Sequence, residues 1–434
     1  MKVRIYNGRI LTMVVGEDIF MGELWIEADT ICKVISYEDT AVCADEKRKQ
    51  EIVWDQEIDA KGNLILPGFK NAHTHSPMTF LRSYADDMSL QRWLNTCVFP
   101  AEAKLTDEDV YWLARLAILE YLTSGMTTVF DMYFKVPSGA KAFLDSGFRN
   151  VICGNMNDHI GSLEQMEAEF LRYNQDENVM LSYQLGFHAE YTTREETLKE
   201  IVALSHKYKS PLYTHCAETA YEVADCRKRT GMTPVAYLDR LGAFAYGGGL
   251  FHGVHPEEAD FDIIKKRGLY VITNPASNLK LASGIAPIQA YIEKEIPLAI
   301  GTDGPASNNG LDMFREMYLV TALQKGIHGD PAAVPAMEVL KMAIVTGAHG
   351  IGLPVCDSLA VGKKADLIML DLQQPNMQPL QNIAKNVVYS GSKSNVKMTM
   401  IAGKIRYRDG TFDVGVDAEK IYAKANQIAQ RILR

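Results

Sequence analysis

Seven cysteines in 434 residues, an odd number with no C-x-x-C among them, give no disulfide framework. They read as reduced thiols of a cytoplasmic protein. No apolar stretch reaches the roughly 18 residues that a membrane span requires, and residues 1 to 13 interleave Lys2, Arg4 and Arg9 with apolar positions, unlike a signal peptide. Positive charge is also short. With 45 Lys+Arg against 54 Asp+Glu, a net of −9, the chain lacks the broad basic surface that a nucleic-acid polymer or an anionic membrane would select. Neither G-x-x-x-x-G-K-[ST] nor G-x-S-x-G occurs, so a phosphate loop and a serine nucleophile elbow are excluded. The H-x-E plus P-C-x-x-C pair of cytidine-type zinc deaminases is missing as well.

What is present is a globular α/β pattern. Hydrophobic residues make up 47% and charged residues 23%, enough for a sizeable core without disorder. Residues 1–58 carry short β-like runs, Val3 to Tyr6, Arg9 to Thr12 and Leu24 to Ile26, the first two parted by a turn at Asn7-Gly8. From Leu64-Ile65-Leu66 onward, apolar strands alternate with amphipathic helices such as Asp107 to Ser124. Further strands are expected at 127–130, 150–153, 183–186, 212–214, 249–251, 269–272 and 298–300, which completes a set of eight. A (β/α)8 TIM barrel over 59–354 follows from that count. Short strands return at 365–370, 387–389 and 396–401, before an amphipathic segment at 418–433. A small β-sandwich domain built from both termini, 1–58 and 355–434, is therefore predicted to flank the barrel.

Polar residues at the C-terminal ends of barrel strands are where the chemistry of this fold resides. His73 and His75 stand two apart after the first strand, and extended backbone turns both to the same side. Ten histidines in a chain of this length produce roughly 0.2 such pairs by chance, so the pair alone decides little. His215, His252 and Asp303 follow the fifth, sixth and eighth strands. Three imidazoles with one carboxylate suit a divalent ion, Zn²⁺ first, with Fe²⁺ or Mn²⁺ open. A second metal would need a bridging ligand after the fourth strand, where Gly186 to Glu190 contains no Lys, so one ion per chain is expected. Glu218, three residues past His215, can take a proton from the attacking water and deliver it to substrate, a role typically worth about 10² to 10⁴ in rate. These features together describe a barrel metallohydrolase.

Several segments resemble the amidohydrolase superfamily, in the branch of methylthioadenosine/S-adenosylhomocysteine deaminases and ATZ/TRZ-type aminohydrolases. They are 67–79, 81–87, 93–102, 214–219, 251–255, 274–281, 301–309 and 362–367. The resemblance implies a metal held by His73, His75, His215 and Asp303, with Glu218 as proton shuttle. It implies that His252 polarises the attacking water or steadies developing charge, and that Asp303 also accepts a proton. Glu102 matches the position that holds ribose hydroxyls, and His188 one that contacts substrate near the sugar. The implied activity is hydrolytic deamination of an adenosine-type nucleoside with release of ammonia. A free purine, pyrimidine or s-triazine ring as substrate, or a silent nucleoside-binding homologue, are the alternatives. A homo-oligomer is expected by the same resemblance.

This chain departs from the pattern around the substrate. Relatives that accept S-adenosylhomocysteine tend to carry arginines in and after the third strand, whereas Ile152 to Ser162 has none; Arg82 and Arg92 are the other guanidines to consider. Glu190 replaces a usual proline and is expected to add negative charge near the pocket; Thr273 replaces a usual histidine. Small or neutral 5′ groups, as in 5′-methylthioadenosine, 5′-deoxyadenosine or adenosine, are therefore expected to be preferred to S-adenosylhomocysteine.

Overall fold

The structure is a computed structural model that describes residues 1–38, 52–175 and 180–433. Five strands open the chain: β1 (Lys2–Ile10), β2 (Phe20–Glu27), β3 (Thr30–Ser36), β4 (Gln56–Asp59) and β5 (Leu64–Pro67). Eight parallel strands follow: β6 (Phe69–Thr74), β7 (Met126–Met132), β8 (Arg149–Cys153), β9 (Leu181–Ala189), β10 (Leu212–Cys216), β11 (Gly248–His252), β12 (Tyr270–Thr273) and β13 (Leu298–Ile300). The last four, β14 (Leu367–Leu370), β15 (Val396–Ile401), β16 (Lys404–Arg408) and β17 (Thr411–Phe412), rejoin the first five in one mixed sheet through antiparallel pairing of β14 with β5. Each of β6–β13 pairs with its neighbours in chain order. The ring is completed where the amides of Thr302 and Asp303 donate to the carbonyl of His73, at 3.1 and 3.0 Å.

The first barrel strand lies later than expected. Leu64 to Leu66 belongs to the terminal sheet, and Phe69–Thr74 is the barrel strand, so the terminal sheet runs past residue 58. Both segments are wholly buried, but only Leu64–Pro67 is apolar throughout; Lys70, Asn71 and His73 break up the apolar pattern of the true barrel strand, so the sequence shows the wrong one of the two. The chain changes sheets at Gly68, where any Cβ would stand 2.1 Å from Thr127. Two smaller differences each have their own local cause. Asn7-Gly8 is no reversal but a bulge inside β1, with Asn7 at φ 56°, and the two halves of the strand pair with β4 and β5 separately. Residues 387–389 end a helix, Ile383–Tyr389, because Asn382 caps it by accepting the Lys385 amide.

Phe130, Met132, Val151, Tyr213, Phe251 and Ile272 fill the barrel interior, while a larger apolar layer joins the strands to the surrounding helices. Barrel and terminal sheet are tied by a buried ion pair: Arg149 on β8 donates to Asp366 at 2.6 and 2.9 Å, and both side chains are fully inaccessible. None of the helices among the described residues is long and apolar enough to cross a membrane. Six of the seven cysteines are unpaired thiols, and Cys43 lies outside the described residues.

Candidate metal centre and active site

The strand ends bring the predicted side chains together. His73 occupies β6 and His75 follows it, His215 is in β10, and Asp303 lies three residues past β13. Their candidate ligand atoms all fall within 4.8 Å of one another. Asp303 Oδ1 is 3.5 Å from His73 Nε2 and 3.2 Å from His75 Nε2. Its other oxygen accepts from Ser277 Oγ and Ser307 Oγ, both at 2.6 Å, which fixes the carboxylate. His75 Nδ1 donates to the Met132 carbonyl at 2.6 Å and His215 Nδ1 to that of His188 at 2.7 Å, so each Nε2 is left as a lone-pair donor.

His73 supplies the test of fit. Its ring is inaccessible, stacks on Phe251 at 3.8 Å between centroids, and has no hydrogen-bond partner at either nitrogen. A buried imidazole without a partner is costly unless something else takes the lone pair. Burial lowers His73 to about 3 and takes His215 well below its ordinary value, so both are neutral ligands at pH 7. Burial alone would raise Asp303, but the His73 and His75 imidazoles more than offset this and hold it well below the usual carboxylate range. The donor set therefore fits a divalent cation.

Around this group opens a cavity lined by His75, His188, His215, Glu218, His252, Asp303 and Glu102. Met78, Leu90, Trp93, Leu94, Val98 and Phe99, from the excursion between β6 and β7, wall one side with apolar surface. Glu218 is buried just outside the helix Ala220–Thr230, not in its first turn. Burial, with Asp303 nearby, raises its carboxyl above the ordinary value. His252 Nε2 is 3.9 Å from Glu218 Oε2, and its Nδ1 faces Asn278 Oδ1 at 2.7 Å. Non-glycine residues in the left-handed region cluster here: Ala217 at φ 53°, His252 at 74° and Asp303 at 58°.

Glu102 ends a short helix, Phe99–Glu102, separate from the capped helix at Asp107, and is only 7% exposed, so it is not a solvated helix-start acid. Burial pushes its carboxyl up to about 7, and Tyr133 donates to its Oε1 at 2.7 Å. His188 hydrogen-bonds Thr192 Oγ1 at 3.1 Å and is lowered to about 4 by burial. The expected charge at Glu190 is corrected: both its oxygens accept from Arg229, at 2.8 and 2.7 Å, and it does not line the cavity. Tyr133, Ser277, Ser307 and Asn278 were given no role from the sequence. Tyr133 follows β7 directly, so the rule of inspecting polar residues at strand ends would have found it.

An Amidohydrolase family model matches residues 64–406. The chain belongs to the amidohydrolase family. Among its relatives, a 5-methylthioadenosine/S-adenosylhomocysteine deaminase of Acetivibrio thermocellus is 35% identical and aligns over 100% of both chains. A 5′-deoxyadenosine deaminase of Methanothermobacter thermautotrophicus is 39% identical over 83% of this chain and 86% of its own. The structure also superposes on an adenosine deaminase from Xanthomonas campestris with bound zinc, with a TM-score of 0.92, 31% identity and coverage of 99% and 98% of the two chains. The segment at the end of the third barrel strand is tightly packed against its neighbour. A Cβ at Gly154 would meet Gly186 O at 2.7 Å, so the strand cannot carry a side chain there. Neither Arg82, which donates to Glu120, nor Arg92 lines the cavity or the chambers beside it.

Proposed function

We propose that this amidohydrolase is a metal-dependent hydrolytic deaminase of an adenosine-type nucleoside. The observation that carries the reading is one cavity shared by the metal group, by Glu218 with His252, and by Glu102 with its oriented carboxylate. His73, His75, His215 and Asp303 would hold one divalent ion, and zinc is our assignment from the three-imidazole, one-carboxylate set and the zinc bound in the Xanthomonas relative. When bound, such an ion lowers the pKa of water so that a nucleophile exists at neutral pH.

The protein's own groups carry the protons. As the water oxygen adds to C6 of the purine, Glu218 takes a proton from the water and places it on N1. Asp303 accepts the second proton, which passes to the exocyclic amine as the C6–N bond breaks and ammonia leaves. A raised carboxyl suits Glu218 to both halves of this exchange, since it must take and give a proton near neutral pH. His252 faces the adding oxygen with Nε2, its Nδ1 proton directed at Asn278. Glu102 receives the ribose hydroxyls, and His188 contacts the substrate near the sugar.

The preferred 5′ group in this reading is small or neutral. The chamber adjoining Glu102 combines apolar Phe99, Leu105, Phe134 and Ile160 with polar Gln91, Asn95, Asn157 and His159; no guanidinium lines it, and its Lys135 ammonium is occupied by Asp107 at 2.8 Å. A cytoplasmic location and a homo-oligomeric state belong to the same reading, the first supported by the unpaired thiols. Side-by-side kcat/KM values for adenosine, 5′-deoxyadenosine, 5′-methylthioadenosine, S-adenosylhomocysteine and adenine test it. Preference for one of the first three supports it, preference for S-adenosylhomocysteine refutes the 5′ argument, and preference for adenine refutes the role of Glu102.

A further inference from the structure

The turn that carries Glu218 is held by a buried side chain that the chemistry above does not use. Glu222 is 1% exposed; its Oε1 accepts the Ala217 amide and its Oε2 the Glu218 amide, each at 2.7 Å. It also stands in a capping box with Thr219, whose Oγ1 accepts the Glu222 amide at 3.1 Å. Capping asks only for one oxygen directed at the Thr219 amide, and that contact is the long one, at 3.5 Å. The two short bonds go instead to the turn before the helix.

That turn needs holding. Ala217 is left-handed, a conformation that L-residues leave unless their surroundings fix it. Its amide is taken by Glu222, and its carbonyl accepts from Val254 and His255, at 2.9 Å each, just beyond His252. Residue 217 is thus fixed from both sides, by Glu222 and by the loop that follows His252. The separation of Glu218 Oε2 from His252 Nε2, 3.9 Å, depends on this connection.

We infer that Glu222 is a positioning residue for proton transfer: by holding the Ala217 and Glu218 amides it fixes the Glu218 carboxylate against His252, without touching substrate or metal. The inference rests on the deaminase reading, in which Glu218 moves the proton. Displacing a reacting group by about 1 Å can lower a rate roughly 10²-fold, so a small shift of this turn is enough.

Glu222→Gln keeps the size but turns an NH₂ toward one of the two amides, so one bond is lost and the turn must move. The expected result is wild-type metal content and KM with kcat lowered about 10- to 100-fold, together with a displaced Glu218 carboxylate in a crystal structure of the variant. Thr219→Ala is the control, removing the other half of the capping box while leaving both short bonds, and its kcat should stay within about twofold of wild type. Glu222→Asp, which keeps the carboxyl group but is one methylene too short to reach both amides, gives the same split if Glu222→Gln does not fold. Equal losses of kcat in the Thr219 and Glu222 variants would make Glu222 a helix cap only and overturn the inference, as would a raised KM or lost metal with unchanged kcat. If the wild type deaminates no nucleoside, the functional reading fails separately, and the variant's structure still decides: an unmoved Glu218 overturns the positioning role, and a displaced one upholds it.

Discussion

Replacing Glu102 by Gln isolates the recognition of ribose from the chemistry at C6. Tyr133 already occupies Oε1 of this carboxylate, so the second oxygen and the negative charge are what remain for the sugar hydroxyls. A hydrogen bond to a charged partner contributes about 1.5 to 3 kcal/mol, and each 1.4 kcal/mol is tenfold. Glu102→Gln should therefore lower kcat/KM for adenosine roughly 10- to 150-fold, through KM, and leave free adenine nearly unaffected. Because burial raises this carboxyl to about 7, it is ionised above that pH and protonated below it. The wild-type advantage of ribonucleosides over 2′-deoxynucleosides should accordingly be full above pH 7, shrink as the pH falls through 7, and be absent at every pH in the variant. Coupled spectrophotometric rates for adenosine, 2′-deoxyadenosine and adenine from pH 5.5 to 8.5 supply the measurement. An equal loss for adenine and adenosine, or a ribose preference independent of pH, would refute the assignment.

Three further outcomes are expected. His215→Ala, which leaves three ligands where four are needed, should lose most of the metal found by elemental analysis, and two ions per wild-type chain would contradict the single site. Glu218→Gln should keep metal and KM while kcat falls by about 10² to 10⁴, since an amide cannot shuttle a proton; near-normal turnover would remove it from the mechanism. Asp366→Asn should destabilise the fold by about 3 to 5 kcal/mol in urea unfolding, because it strips the Arg149 guanidinium of its buried carboxylate, and a loss under about 1 kcal/mol would contradict that account.

The barrel was legible because seven of its strands are short apolar runs closed by polar residues, with His215 and Asp303 where two of those runs end, while His73 and His75 stood out by their own H-x-H spacing. The first strand was not, because Leu64–Pro67 is apolar throughout while Phe69–Thr74, equally buried, is interrupted by Lys70, Asn71 and His73. Pairing partners were harder still to see. The contact of Glu190 with Arg229 spans 39 residues, and that of Tyr133 with Glu102 spans 31, distances at which local patterns carry no information. Glu222 carries no distinctive local signal, since a Glu three residues after Thr219 reads as an ordinary capping box, which it also is. Its bonds to Ala217 and Glu218 depend on a left-handed turn that the local residues do not announce.

The central claim is that one metal ion at His73, His75, His215 and Asp303 enables hydrolytic deamination of an adenosine-type nucleoside. Titrating metal-free protein with Zn²⁺ while following ammonia release from 5′-deoxyadenosine tests it most directly. Activity should be absent without metal, rise in proportion to the ion added and level off at one equivalent per chain, with ammonia and the 6-oxo nucleoside formed in equal amounts. Full activity in the metal-free protein, a plateau only at two equivalents, or a fully loaded protein that releases no ammonia would contradict it.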